Sequence, residues 1–247
     1  MPPRDPTPHF LEPLLGVALD LDGTLVLSRH DFKRMRAEVV RLAERSGVVP
    51  GHLSVEQPIH KLIEQSREEL RTAGVPDGTL FRFEAEVQRT IDRIELEALP
   101  RTVARPGAEP LLQMLAERGF RLGLLTRASE TFARQALNRT DLARYFGYLR
   151  SRSAEGPAKP SPEALLHLLH EMGVPIDRAV YVGDHLLDAE CAVAAHVRFY
   201  AVLPDPHETA GSSMTTERFL AAGASATAKD LFELARQLDV MAPATAP

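Results

Sequence analysis

Short apolar runs alternate with helical patterns along most of the chain, and this alternation predicts the fold class. The short, mostly apolar runs, typical of strands buried on both faces, are Val17–Leu21, Arg121–Leu125, Ala179–Val182 and Val197–Leu203. Between them, GAEPLLQMLAERG and SPEALLHLLHEMG repeat leucine at helical spacing and stop at Gly119 and Gly173. We therefore predict an α/β domain in which a mostly parallel sheet is covered by helices on both faces, a three-layer core.

The segment that follows the first apolar run contains no strand-like pattern. It carries three amphipathic stripes instead: Phe32, Met35, Val39 and Leu42; Ile59, Leu62, Ile63 and Leu70; and Phe83, Val87, Ile91 and Ile94. Turn signals at Pro50-Gly51 and Asp77-Gly78 separate the stripes. A helical insert at this point would lie over the carboxyl edge of the sheet, where open α/β folds bind ligands. We predict a core domain of residues 1–27 and 101–247, with residues 28–100 forming an α-helical cap domain.

The bulk composition narrows the class of function. A net charge of −5 over 247 residues disfavours nucleic-acid binding as the main activity. Cys191 is the only cysteine, which excludes an intrachain disulfide and a cysteine-rich zinc site; we interpret it as a small buried hydrophobe. The proline-rich N-terminus does not resemble a signal peptide, and no apolar run is long enough to span a membrane, so we expect a cytoplasmic protein.

Two aspartates lie at the end of the first apolar run in the stretch GVALDLDGTLV. Residues two apart in an extended chain point to the same side, so the carboxylates of Asp20 and Asp22 can converge on one pocket. An EF-hand calcium loop is disfavoured because it needs further oxygen ligands before its glycine, whereas Gly23 follows immediately here. The pattern favours a functional acid pair over a solvated turn.

A second acid pair, Asp184 and Asp188, follows the strand-like run Ala179–Val182. Its members lie one helical turn apart and would repel each other unless positive charge lies between them. Because parallel strands end at the same edge of a sheet, both pairs are expected to meet there. Carboxylate oxygens with positions left for water and phosphate favour Mg²⁺.

Four stretches, in order, complete the pattern: DLDGT, LGLLTRAS, PAKPSPEA and YVGDHLLD. Together they resemble the four motifs of haloacid dehalogenase (HAD) superfamily phosphohydrolases, of the phosphoglycolate-phosphatase-like group with a helical C1 cap. The resemblance covers the chain from about Leu15 to Leu238. It implies a Rossmann-like core and Mg²⁺-dependent hydrolysis of a small phosphorylated metabolite through an aspartyl-phosphate.

The resemblance also implies roles for the acidic residues. Asp20 would be the nucleophile and a metal ligand, and Asp22 would act as general acid and base while its carbonyl binds the metal. Asp184 would be the third metal ligand. Asp188 would orient the metal's ligands from behind or reach the metal through water.

The substrate-binding residues implied by the resemblance are Thr126, Arg127 and Lys159. The hydroxyl of Thr126 and the backbone N–H of Arg127 would bind phosphoryl oxygens, and Lys159 would pair with Asp20 and the phosphoryl group. Arg127 stands where the family commonly has asparagine, and its side chain is interpreted as substrate-binding or solvent-facing, with a slight preference for solvent. His185 and His196 also depart from the usual pattern; a histidine in place of the expected glycine makes the local turn at His196 uncertain.

Several alternatives stay open. A sugar-phosphate mutase resembling β-phosphoglucomutase would share the acid pair and the cap. A dehalogenase is disfavoured because it does not need Asp22, and a phosphonate-cleaving enzyme would need Lys33 or Lys61 as a Schiff-base lysine. A non-catalytic binding module would have no reason to keep the repelling acids. The basic residues that open the predicted cap are expected either to bind a second anionic group or to form a solvated helix face: Arg29, His30, Lys33, Arg34 and Arg36. We expect a monomer or homodimer.

Overall fold

The computed structural model describes residues 13–204 and 214–241. By internal contacts the chain divides into two compact units, Met1–Leu27 with Val103–Pro247, and Ser28–Thr102. The second junction falls two residues after the predicted one, because a 3₁₀ turn at Leu99–Arg101 continues the preceding helix and the N–H of Thr102 donates to Leu99.

The first unit is built on a six-stranded sheet within the described residues. The strands of the chain, in order, are β1 (Gly16–Leu19), β2 (Val26–Leu27), β3 (Val103–Ala104), β4 (Arg121–Leu125), β5 (Tyr148–Arg150), β6 (Ala179–Gly183), β7 (Arg198–Val202) and β8 (Ala226–Ala228). The main sheet has the order β5-β4-β1-β6-β7-β8 and all of its neighbouring strands pair in parallel, while β2 and β3 form a short antiparallel pair. The chain runs outward to one side of β1 and then to the other, so the strand order reverses at β1.

Helices connect the strands and cover the sheet. They are α1 (Phe32–Ser46), α2 (Ile59–Thr72), α3 (Asp77–Ala98), α4 (Ala108–Glu117), α5 (Glu130–Arg139), α6 (Pro162–Met172), α7 (Leu186–Ala194), α8 (Thr216–Ala221) and α9 (Leu231–Asp239). Side chains of Ala18 and Phe199 join α6 and α7 in one core cluster. Their neighbours Val17 and Tyr200 point to the other face and are also buried, so both faces of the sheet are covered. The predicted α/β fold is confirmed.

The second unit, Ser28–Thr102, consists of α1, α2 and α3, which pack around their own apolar core. The third stripe of the sequence is fully buried, whereas Phe32 is 51% exposed and is not part of the core predicted for α1. Asp77-Gly78 was expected to be a turn but forms the first turn of α3, where an acidic residue is favourable. Pro76 precedes it in extended backbone as the N-cap residue of α3.

Two local features of the first unit bear on the sequence predictions. β1 ends at Leu19, earlier than the apolar run suggests, so Asp20 leaves the strand while its N–H still donates to Val182 (2.9 Å). His196 adopts a φ of 57°, and Val197 donates to Ala192 (2.9 Å), so histidine occupies the left-handed turn that glycine usually makes.

No helix of the described residues is long and apolar enough to cross a membrane. The proline-rich N-terminal residues 1–12 lie outside the described part.

Candidate active site

Three adjacent strands of the sheet end in polar residues at one edge. Asp20 follows β1, Thr126 follows β4, and Asp184 follows β6, with β1 between the other two. Because the strands are parallel, their carboxyl ends deliver these side chains to the same side of the sheet, at the point where the strand order reverses. This is the position in the fold where a ligand-binding site is expected.

Three carboxylates converge at this edge. One oxygen from each of Asp20, Asp184 and Asp188 lies within 4.8 Å of the others. Burial, and after it the charge of Asp188, raise the pKa of Asp184 to about 7 against the lowering effect of the Thr24 hydrogen bond. Burial also raises the pKa of Asp20, and the positive charge of Lys159 acts in the opposite direction and lowers it. Three acids and one ammonium leave an excess of negative charge, which a divalent cation would neutralise; this donor set fits a hard metal ion.

Lys159 is the positive charge at the centre of this cluster. Its ammonium donates to Asp20 Oδ1 (2.6 Å), to Asp188 Oδ1 (2.7 Å) and to the Tyr181 hydroxyl (2.8 Å), and its side chain is 3% exposed. Burial by itself would lower the pKa of Lys159, but the charges of Asp188 and Asp20 outweigh it and hold the pKa above its ordinary value. The loop before α6 therefore supplies the positive charge between Asp20 and Asp188.

The turn after β1 is built around Asp184. The hydroxyl of Thr24 donates to Asp184 Oδ1 (2.7 Å). Gly23 has a φ of +83°, and a Cβ placed on it would lie 2.1 Å from Asp184 Oδ2. The backbone of Gly23 thus packs directly against the carboxylate, which explains why glycine follows the acid pair.

Replacing Gly23 with alanine is expected to displace the Asp184 carboxylate. Gly119→Ala is the matched control, because Gly119 has a similar φ (+79°) and nothing within 4 Å of its added Cβ. We expect G23A to lower the free energy of unfolding by about 1–2 kcal/mol more than G119A, and to weaken divalent-metal binding at least about tenfold. Denaturant titration and calorimetric metal titration measure both effects; equal behaviour of the two variants would contradict the packing argument.

The predicted phosphate-binding loop follows β4. The N–H of Thr126 donates to Arg150 (3.0 Å), and its buried hydroxyl accepts from the N–H of Ala128 (3.0 Å), which leaves the hydroxyl proton able to donate. The Arg127 guanidinium donates to the main-chain carbonyl of Lys159 rather than being directed to solvent. This hydrogen bond ties the two predicted motif loops together, and Arg152 donates in turn to the carbonyl of Arg127 (2.8 Å).

Asp188 is held at the base of the cluster. It is 1% exposed; besides Lys159 its Oδ1 accepts from Tyr181 (2.8 Å), and its Oδ2 accepts from the N–H of His185 (3.2 Å). His185 caps α7, its Nδ1 accepting from the N–H of Leu187 (3.1 Å). Asp22 is partly exposed in the turn after β1, and the converging carboxylates of the described residues belong to the other three aspartates.

Tyr181 and Arg105 are among the residues of this site that were not found from the sequence. Tyr181 lies fully buried in β6 with its hydroxyl between Lys159 and Asp188. Arg105 is buried beside β3 and donates to the carbonyls of Gly23 and Leu203, and its charge lowers the pKa of Asp184. The signals available were a tyrosine in an aliphatic strand and an arginine in the stretch VARPGA, each of which needs buried partners.

Comparison with known proteins identifies the family. The model of haloacid dehalogenase-like hydrolases matches residues 15–196. The chain belongs to this family. A phosphoglycolate phosphatase from Nitrosospira multiformis is 30% identical over 202 residues, which cover 78% of this chain and 85% of that protein.

Solved structures support the same fold for this haloacid dehalogenase-like hydrolase. A hydrolase from Pseudomonas syringae superposes with a TM-score of 0.64 at 21% identity, covering 93% of this chain and 100% of that one. A candidate β-phosphoglucomutase from Thermotoga maritima has a TM-score of 0.56 at 24% identity over 92% of this chain and 100% of its own. Likeness at this level of identity establishes the architecture and leaves the reaction to be argued from the site.

Proposed function

We propose that this hydrolase is a Mg²⁺-dependent phosphatase that hydrolyses a small phosphate monoester through an aspartyl-phosphate on Asp20. The observation that carries the proposal is the contact of the Lys159 ammonium with Asp20 Oδ1 (2.6 Å), inside a buried cluster of three carboxylates. A carboxylate needs no deprotonation to attack phosphorus at neutral pH. Lys159 would fix one oxygen of Asp20, and the other oxygen would be available for the attack.

The other predicted site residues would have separate roles in the reaction. Asp20, the carbonyl of Asp22 and Asp184 would hold Mg²⁺, which when bound reduces repulsion between the nucleophile and the anionic ester. Asp22 would donate a proton to the leaving oxygen and later accept one from water, a contribution typically worth about 10²–10⁴ in rate. The Thr126 hydroxyl and the Arg127 N–H would bind phosphoryl oxygens. Asp188 would act from behind through Lys159.

The named relatives favour a small acidic substrate. The matched protein from Nitrosospira multiformis is a phosphoglycolate phosphatase, so phosphoglycolate is the first ester to test. A phosphonate-cleaving reaction is not supported, because Lys33 is exposed and Lys61 is exposed and pairs with Glu64 (2.9 Å), so neither is the buried amine that a Schiff base needs. The mutase alternative rests on fold likeness below 25% identity.

The test is phosphate release from a panel of small monoesters that includes phosphoglycolate and hexose phosphates. We expect release that requires Mg²⁺, is abolished by EDTA and is restored when Mg²⁺ is added back, with activity falling at least about 10³-fold without metal. Isomer formation from a hexose phosphate without net phosphate release would instead indicate a mutase. No reaction with any ester by a folded, metal-loaded protein would contradict the proposal.

A further inference from the structure

The Lys159 ammonium has as many buried acceptors as it has protons. An ammonium carries three N–H donors, and those of Lys159 reach Asp20 Oδ1 at 2.6 Å, Asp188 Oδ1 at 2.7 Å and the Tyr181 hydroxyl at 2.8 Å. In this arrangement no N–H of Lys159 remains for a phosphoryl oxygen. The family resemblance assigned Lys159 to the substrate as well as to Asp20, and the geometry of this chain favours the second of these contacts.

Tyr181 provides the third acceptor of the Lys159 ammonium. Its phenol accepts from Lys159 and can donate to Asp188 Oδ1 (2.8 Å), with the carbonyl of Leu125 as a more distant acceptor (3.3 Å). The side chain is fully buried among the residues that pack β6 against α6 and α7. A phenol in this interior costs free energy unless its hydrogen bonds are made, so the ring and the hydroxyl are held in place together.

We propose that Tyr181 is a positioning residue for catalysis: it holds the third proton of Lys159 and so aims the ammonium at Asp20 Oδ1, orienting the nucleophile. The inference rests on the proposed phosphatase function for its kinetic consequences. Without the phenol, two carboxylates still neutralise the ammonium, but its direction is fixed by two acceptors instead of three. The nucleophile would then keep its charge partner and lose part of its orientation.

The first test compares Tyr181→Phe with Tyr200→Phe. Both variants remove one phenol oxygen from a strand of the same sheet; the Tyr200 hydroxyl lies 3.0 Å from Met241 Sδ, and Tyr200 points to the opposite face of the sheet from Tyr181. We expect Y181F to lower kcat for the best ester about tenfold with KM within about twofold, and Y200F to change neither. Equal kinetics in the two variants would overturn the proposal, as would a Y181F effect confined to KM.

A second measurement does not depend on the reaction, and its wild-type arm does not depend on the folding of any variant. The chain has four lysines, Lys33, Lys61, Lys159 and Lys229, and all except Lys159 are exposed. In protein labelled with ¹⁵N-lysine, we expect one ammonium signal protected from exchange with water in the wild type, lost in Lys159→Met, and exchanging at least about tenfold faster in Y181F than in Y200F. Absence of a protected ammonium in the wild type would overturn the proposal that three buried acceptors hold Lys159. A protected signal in a protein that hydrolyses no ester would refute only the phosphatase proposal.

Discussion

Asp20→Asn is expected to abolish phosphate release while leaving the protein folded. An amide oxygen can still accept the hydrogen bond that Asp20 Oδ1 receives from Lys159 at 2.6 Å, so the variant keeps a hydrogen bond at this position. The amide cannot attack phosphorus to give the covalent intermediate, and it supplies no anionic oxygen to a metal ion. We expect kcat to fall at least about 10³-fold, measured with the best ester of the panel at saturating Mg²⁺.

Asp177→Asn is the matched control for this change, because Asp177 is an exposed aspartate in the 3₁₀ turn before β6. D177N should keep wild-type turnover, and D20N should unfold within about 1 kcal/mol of the wild type in EDTA, since it removes one of three crowded acids. A D20N variant with more than a tenth of wild-type activity would show that Asp20 is not the nucleophile.

Lys159→Met is expected to be the most destabilising of the site substitutions. Asp20 and Asp188 lie buried on either side of the ammonium, and methionine leaves both without their counter-charge. Removing one partner from a buried pair typically costs about 3–5 kcal/mol, so we expect a loss of about 3 kcal/mol in the free energy of unfolding in EDTA. Turnover should also fall about 10²-fold or more, because the nucleophile loses its positioning charge.

Two controls separate the charge effect from the loss of a long side chain. Lys229→Met changes an exposed lysine and should alter neither stability nor turnover. Adding Asp188→Asn to Lys159→Met removes one of the stranded charges, so the double variant should be more stable than K159M alone in a double-mutant cycle. If K159M and K229M unfold at the same denaturant concentration, the buried charge network described above is wrong.

The positions of the site residues along the sheet were predictable because they depend on a simple rule. Apolar runs ending in polar residues identify the carboxyl ends of parallel strands, and such ends meet at one edge. Asp20, Thr126 and Asp184 are placed there by β1, β4 and β6. Helix ends marked by glycine were equally predictable: Gly173 ends α6 with a φ of 62°.

Apart from the pairing of Lys159 with Asp20, which the family resemblance implied, the partners of these residues were not predictable, because they depend on how distant loops pack. Nothing in the spacing of Lys159, Tyr181 and Asp188 indicates that the three side chains meet, and the link from Arg127 to the Lys159 carbonyl joins residues 32 positions apart. The turn predicted at Asp77-Gly78 was wrong for another reason. The pair signals a turn in most contexts, but after Pro76 it forms the start of a helix. Local patterns describe elements well and say little about contacts between them.

The most direct test of the account is to look for the phosphoryl group on Asp20. The wild-type protein would be mixed with its best ester and Mg²⁺, quenched in acid during turnover, digested and analysed by mass spectrometry. We predict one added phosphoryl group on the peptide containing Asp20, formed no more slowly than turnover and missing from D20N. Turnover without any phosphorylated peptide, or with the phosphoryl group on another residue, would contradict the assignment of Asp20 as the nucleophile.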